Sequence, residues 1–249
     1  MSDDRLYLFD TTLRDGAQTQ GVDFNVADKA AIARDLDALG IDYVEGGWPG
    51  ANPTDDGFFA DPPALSRARL TAFGMTRRAG RSAANDPGLA VTLRSRVDTI
   101  CLVGKSDARH AESALGVSLD ENLAMIRDSI AEIVRRGKEA LFDAEHFFDG
   151  YKARPDYALK VLETALEAGA RWVVLCDTNG GTLPDEIEAA VASAAQAVPG
   201  ARLGIHTHND TGNAVANTLA AVGAGGPPGG GTQQSHCERC RHPPHLARQ

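Results

Sequence analysis

The stretch LYLFDTTLRDG, residues 6–16, decides how the rest of the chain is interpreted. Its apolar part, Leu6–Phe9, is aromatic-rich and ends at polar residues, as a short buried strand does. Arg14 and Asp15 follow, so a strand here delivers one cation and one carboxylate to a single place. Gly16 then lets the backbone turn without a clash at Cβ. Taken alone, the stretch is equally well explained as a loop with a surface ion pair.

A second strand end, far along the chain, favours a site over a simple loop. Leu203–Ile205 is a short apolar run, and His206 and His208 follow it at alternate positions. Side chains alternate along a strand, so both imidazoles project to the same side. With Asp15 they supply one oxygen and two nitrogen donors and leave coordination positions open, as in a catalytic metal site. Each histidine alone is also explained as a polar strand-end residue, and the donor set does not distinguish Zn, Mn, Co or Mg.

Between these two ends the sequence alternates apolar strands with amphipathic helices. The clearest helix begins at Ser118, which has capping-box spacing to Glu121, and ends at Gly137. About seven such units predict an α/β fold, a (β/α)8 TIM barrel rather than an open doubly wound sheet. In barrel enzymes the catalytic groups lie at the carboxyl ends of the strands. After the first strand, further strands are expected at 41–45, 70–73, 97–103, 140–145, 172–176 and 203–208.

The motifs at residues 10–16 and 206–208 resemble those of a known enzyme family. They are similar to the metal-dependent acyl-transfer and lyase barrels that include the 2-isopropylmalate, homocitrate and citramalate synthases. The resemblance runs from about residue 5 to about residue 224. It implies that Asp15, His206 and His208 hold a divalent metal, with Asp15 also counted as catalytic. It further implies acetyl-CoA as co-substrate, a 2-oxo acid as acceptor, and a homodimer.

The same resemblance assigns roles to residues at other strand ends. Arg14 is expected to bind substrate and to hold a developing alkoxide, and Thr178 to contact the 2-oxo acid carboxylate. Glu145 matches the active-site glutamate of the family, so we expect it to be the base or its partner. The alternative for Glu145 is a strand-end carboxylate paired to an Arg. Glu45 and His146 are further candidates for substrate binding, although either is also explained as a polar rim residue.

Two loops indicate the branch of the family. Gly47–Asp55 (GWPGANPTD) and Asp143–Tyr151 (DAEHFFDGY) look like the citramalate synthase branch. Pyruvate is then the expected acceptor and (R)-citramalate the product, in isoleucine biosynthesis. The alternatives are a 2-isopropylmalate or homocitrate synthase, or an inactive fragment that binds only metal or 2-oxo acid.

The composition changes at residue 225. Residues 225–249 contain five Gly and four Pro, and three Arg against Glu238 give them a charge of +2. We therefore expect a barrel domain at 1–224 that lacks its eighth βα unit, and an irregular, disordered tail at 225–249. Compared with that family, we interpret the chain as truncated or frame-altered from residue 225 onward. We therefore expect poor turnover from it. The other explanation of the tail is a small zinc site, with ligands drawn from His236, Cys237, Cys240, His242 and His245.

Overall composition excludes several classes of protein. A formal charge of −9 argues against a general nucleic-acid binder. No run approaches the roughly 18 apolar residues of a membrane span, and no signal peptide is visible. We therefore expect a cytoplasmic protein without a membrane partner. The cysteines are too few and scattered for a disulfide framework, so Cys101 and Cys176 are expected to be buried free thiols.

Overall fold

The strands form a closed parallel barrel in which sequence order is also spatial order. The computed structural model describes residues 5–224 and 233–235. Each strand pairs with the next, and the last pairs with the first. The strands are β1 (Tyr7–Asp10), β2 (Tyr43–Gly47), β3 (Arg69–Met75), β4 (Thr99–Lys105), β5 (Glu139–Glu145), β6 (Trp172–Asp177), β7 (Leu203–Thr207) and β8 (Gln233–Ser235).

Helices pack on the outside of this barrel, and aromatic side chains fill its inside. The helices are α1 (Val26–Leu39), α2 (Pro53–Ala60), α3 (Pro87–Arg94), α4 (Ala108–Ser113), α5 (Leu119–Arg135), α6 (Phe147–Ala153), α7 (Pro155–Glu167), α8 (Pro184–Ala197) and α9 (Ala214–Ala224). Ile130 of α5 and Leu162 of α7 are buried in one cluster with Phe142 and Val173 of the sheet. The barrel interior holds Phe9, Tyr43, Phe73, Cys101, Leu141 and Trp172. None of the described helices combines the length and apolar character needed to cross a membrane.

The helix ends follow signals in the sequence. At the start of α1, the Asn25 side chain accepts the N–H of Asp28, whose carboxylate accepts the N–H of Asn25 in return. At the other end, Gly40 has a φ of 87°, which a residue without Cβ adopts at little cost. Ser118 caps α5 by accepting the N–H of Glu121, as its spacing predicts.

The predicted barrel is confirmed, with one difference at its closure. The described residues contain no helix after β8, so the eighth βα unit is incomplete there, as expected. A barrel without an eighth strand would leave β1 and β7 adjacent or separated by a gap, whereas Gln233–Ser235 pairs with both and closes the barrel. Cys101 and Cys176 are buried and free, as predicted. The rest of the predicted tail, 225–232 and 236–249, and with it the alternative zinc site, lies outside the described residues.

Asp37, near the end of α1, connects this helix to the segment that precedes β3. Its carboxylate accepts the N–H groups of Ser66, Arg67 and Ala68, and also the hydroxyl of Ser66. The hydrogen bonds from Ala68 and Ser66, opposed by desolvation, hold the pKa of Asp37 well below its usual range. The ionised carboxylate therefore stabilises the fold.

Replacing Asp37 by asparagine is expected to lower stability in a pH-dependent way. Because the folded-state pKa lies below the unfolded one, the wild-type contribution is complete above about pH 5 and is lost as the pH falls through the folded pKa. The urea midpoints of wild type and Asp37→Asn should therefore differ most near neutral pH and converge in acid. Asp35→Asn, on the exposed side of α1, is the control. A difference that stays constant from pH 7 to pH 3 would contradict this role.

Candidate active site

The ends of β1 and β7 bring three potential metal ligands together at the mouth of the barrel. Asp15 Oδ2 lies 3.3 Å from His206 Nε2 and 3.4 Å from His208 Nε2. Donors bound to one ion at about 2.0–2.2 Å stand roughly 3.0–3.5 Å apart, so this spacing fits a shared divalent ion. The three predicted ligands thus converge, and their role as ligands stays a prediction.

His208 is oriented by the segment that follows β6. Its Nδ1 lies 2.6 Å from the carbonyl oxygen of Thr178, which can only accept, so Nδ1 carries the proton. In a neutral ring, Nε2 then presents a lone pair toward the carboxylate of Asp15. Two acceptors that face each other are stabilised by a cation between them, as in a metal site whose histidine donates to a backbone carbonyl.

Asp15 has the charge that a metal ligand needs. Burial, the largest single influence, would raise its pKa. The neighbouring His206 and His208, together with the positive charge of Arg14, outweigh burial and hold the pKa of Asp15 well below its usual range. The carboxylate is therefore ionised at neutral pH.

Arg14 is held rigidly beside this group. Its Nε donates to Glu45 Oε2 at 2.6 Å, and its Nη1 lies 3.3 Å from Asp15 Oδ1. The guanidinium stacks over the ring of Phe73, with Cζ 4.1 Å from the ring centroid. Glu45 is fully buried, which raises the pKa of its carboxyl although Arg14 acts against this. Glu45 therefore lies behind Arg14, and its predicted contact with substrate stays a prediction.

Glu145, the expected base, lies at the end of β5. Its carboxylate contacts the ammonium of Lys105, at the end of β4, rather than an arginine. Both side chains are partly exposed and face one cavity at the mouth of the barrel.

Thr178, after β6, connects His146, after β5, with His208, after β7. The Thr178 hydroxyl accepts the N–H of His146 at 2.8 Å, while the Thr178 carbonyl orients His208. His146 has a φ of 59°, the one positive value at a residue other than glycine in the described part of the chain. Its ring packs edge-on against His110, and burial together with that neighbour lowers the pKa of His146.

A second group of titratable residues, which the sequence analysis missed, lies beneath the metal-type donors. Glu45, Asp143 and Cys101 converge inside the barrel, and Asp143 also approaches His206 and Cys176. Burial raises the pKa of both thiols well above the usual value, so they stay protonated and are poor ligands. The available signal was a lone acid, Asp143, within the apolar run of β5.

Two cavities open at the mouth, on either side of Trp48. One, of about 330 Å³, is lined by apolar residues and by Arg78, Lys105 and Glu145. The other, of about 350 Å³, is lined by Arg14, Lys29 and Asp55 among others. The space around the candidate site is thus divided into a mainly apolar side and a charged side.

A buried ion pair fixes the loop that carries Trp48. Lys29 contacts the Asp55 carboxylate and donates to the carbonyl of Gly46 at 3.0 Å. Asp55 accepts the N–H of Trp48 at 2.8 Å. Gly47 has a φ of 142°, and a Cβ there would lie 2.6 Å from the Asp55 carboxylate, so only glycine fits.

Comparison with known proteins supplies the family. Residues 5–227 match the HMGL-like family. The chain belongs to the HMGL-like family. The (R)-citramalate synthase of Streptomyces coelicolor is 56% identical to this HMGL-like chain over 226 residues, 90% of this chain and 42% of that protein. For the (R)-citramalate synthase of Aquifex aeolicus the identity is 49% over 224 residues, 89% of this chain and 42% of that protein.

This HMGL-like chain is also similar to proteins of lower sequence identity. The 2-isopropylmalate synthase of Gloeobacter violaceus is 37% identical over 230 residues, 89% of this chain and 41% of that protein. The chain thus spans less than half the length of these curated relatives. Among solved structures, the HMG-CoA lyase of Bacillus subtilis superposes with a TM-score of 0.77 at 18% identity, over 98% of this chain and 82% of that one. That likeness concerns the fold alone.

Proposed function

We propose that this site condenses acetyl-CoA with pyruvate to give (R)-citramalate. The observation that carries the proposal is the convergence of Asp15, His206 and His208 next to the fixed cation of Arg14. The choice of pyruvate rests on higher identity to (R)-citramalate synthases than to a 2-isopropylmalate synthase, 56% against 37%. The proposal includes a homodimer, as the family resemblance implies, and a cytoplasmic location, as the sequence analysis expects.

The donor set supports activation of a 2-oxo acid. A divalent ion held by Asp15, His206 and His208 supplies Lewis-acid polarisation of the keto group when bound. Arg14, held in place by Glu45 and Phe73, places its charge where negative charge develops on the keto oxygen. Thr178, beside His208, is proposed to bind the substrate carboxylate.

Glu145 is proposed to remove a proton from the methyl group of acetyl-CoA. The resulting carbanion equivalent forms a carbon–carbon bond with the keto carbon while the C=O π bond opens to an alkoxide, which takes up a proton. Water then cleaves the thioester to a carboxylate and releases CoA. The cavity of about 330 Å³ beside Glu145 is the proposed place for the acyl end of acetyl-CoA. Its apolar lining suits a methyl group that must react away from bulk water.

A CoA-release assay tests this function. With Mn²⁺, Mg²⁺, Zn²⁺ or Co²⁺ supplied in parallel, we expect release that depends on pyruvate and is weaker with 2-oxoisovalerate. Glu145→Gln should lower the rate by about 10²–10⁴-fold, because the amide cannot accept the proton. Glu163→Gln, at the surface of α7, is the matched control. Pyruvate binding without any turnover would contradict the proposal and favour the inactive-fragment alternative.

A further inference from the structure

The carboxyl ends of β4 and β5 are paired residue by residue. Lys105 is the register partner of Glu145, each being the last residue of its strand. In parallel strands such partners project to the same side of the sheet, and here the Lys105 ammonium meets the Glu145 carboxylate. The ion pair is thus built into the alignment of the two strands.

The backbone around this pair is fixed from both sides. Ser106 donates its N–H and its hydroxyl to the carbonyl of Glu145, at 3.1 and 2.7 Å. Asn122 of α5, itself fully buried, donates its amide to the carbonyl of Lys105 at 2.8 Å. Neither strand end can therefore shift independently of the other.

Two glycines allow the close packing that this arrangement needs. A Cβ on Gly104 would lie 2.8 Å from the ring of Phe142, so the residue before Lys105 must be small. A Cβ on Gly150 would lie 2.6 Å from the carbonyl oxygen of Ser106. The strand ends and loops of β4 and β5 are consequently packed closely against each other.

Arg77, a further cation at this cavity, is already occupied by other carboxylates. Arg77 also lines the cavity, but its guanidinium is bound by Glu121 and Asp128 at 2.8 Å. Lys105 is the one ion-pair partner of Glu145 within the described part of the chain. With side chains 16% and 25% exposed, the two groups are shielded enough for the contact to restrict the carboxylate.

We propose that Lys105 is a positioning residue that holds the Glu145 carboxylate toward the acyl-binding cavity. The inference rests on the proposed function and adds to it a residue that acts through Glu145. Proton removal requires the base within hydrogen-bond reach of the carbon acid, and a carboxylate released from Lys105 samples other rotamers. Lys105 is thus assigned to the proton-transfer step and to neither metal binding nor acceptor binding.

Deuterium loss from [²H₃]acetyl-CoA into water, followed by mass spectrometry, measures that step in the full chain. Lys105→Met is expected to slow the exchange by about 10²-fold, the loss typical of a displaced catalytic group. The half-saturating acetyl-CoA concentration should change less than about threefold, and pyruvate affinity should stay that of wild type. Lys105→Arg should restore most of the rate, because it keeps the charge. Lys105→Met combined with Glu145→Gln should be no slower than Glu145→Gln alone.

Lys152→Met is the matched control, because it removes an exposed Lys–Glu pair, Lys152–Glu186, that does not line the cavity. Thermal unfolding checks the fold of each variant, and Lys105→Gln replaces Lys105→Met if the latter does not fold. A wild-type exchange rate in Lys105→Met, or equal losses of exchange and pyruvate affinity, contradicts the positioning role and leaves the proposed function standing. A wild-type protein without any exchange contradicts the proposed function and this inference with it.

Discussion

Alanine at both His206 and His208 is expected to abolish stoichiometric binding of a divalent ion. The double substitution removes two of three donors and leaves Asp15, whose single carboxylate cannot hold the ion against water. Loss of an outer partner alone typically costs 10–100-fold in metal affinity, so loss of two direct ligands should raise the Kd by more than about 10²-fold. Metal content after dialysis, measured by inductively coupled plasma mass spectrometry, and calorimetric titration give the result.

The fold should survive this change. Both rings lie at the barrel mouth, outside the helix–sheet and interior clusters, so the far-ultraviolet circular dichroism should stay close to that of wild type. His110→Ala is the matched control, since this ring packs on His146 and is outside the donor group. If the double variant still binds one divalent ion at the mouth, the assignment of the ligands is wrong.

Lys29→Met is expected to cause the largest loss of stability. The Asp55 carboxylate would be left buried without the ammonium that balances it. Removing one partner of a buried ion pair typically costs about 3–5 kcal/mol in the free energy of unfolding, more than most single substitutions. Urea unfolding, followed by the fluorescence of the two tryptophans, measures the change.

A second substitution should recover part of the stability that Lys29→Met loses. Adding Asp55→Asn removes the unbalanced charge and keeps a carbonyl oxygen for the N–H of Trp48, so part of the loss should be recovered. Lys160→Met, which breaks the exposed pair with Glu163, should cost less than about 1 kcal/mol. Equal effects of Lys29→Met and Lys160→Met would show that the buried pair has no special role.

The sequence predicted the elements whose signals are local and strong. α5 has capping residues and a long apolar stripe, and β4 and β5 are continuous apolar runs, so each was located correctly. α2, α4 and α6 were missed, because helices of six to eight residues are too short to show a period. Packing against the barrel, rather than a local sequence signal, stabilises these short helices.

The candidate site was predictable only in part, for a related reason. Residues at strand ends, such as Asp15 and His208, could be brought together by the barrel topology alone. The pairing register of β4 and β5 could not be predicted from the sequence, so Lys105 was not linked to Glu145. β8 was missed because Gln233–Ser235 contains none of the β-branched or aromatic residues that are enriched in strands, and it is recognised only by its backbone pairing to both neighbours.

The contacts of Thr178 have a consequence for redesign of the site. In the proposed assignment, β1 and β7 activate the acceptor, whereas β4 and β5 activate the acyl donor. Thr178 joins these halves through two hydrogen bonds, one to His146 and one to His208. We therefore expect that the loops after β4 and β5 can be exchanged together to accept a bulkier thioester, provided that Thr178 is kept and the acceptor half is left unchanged.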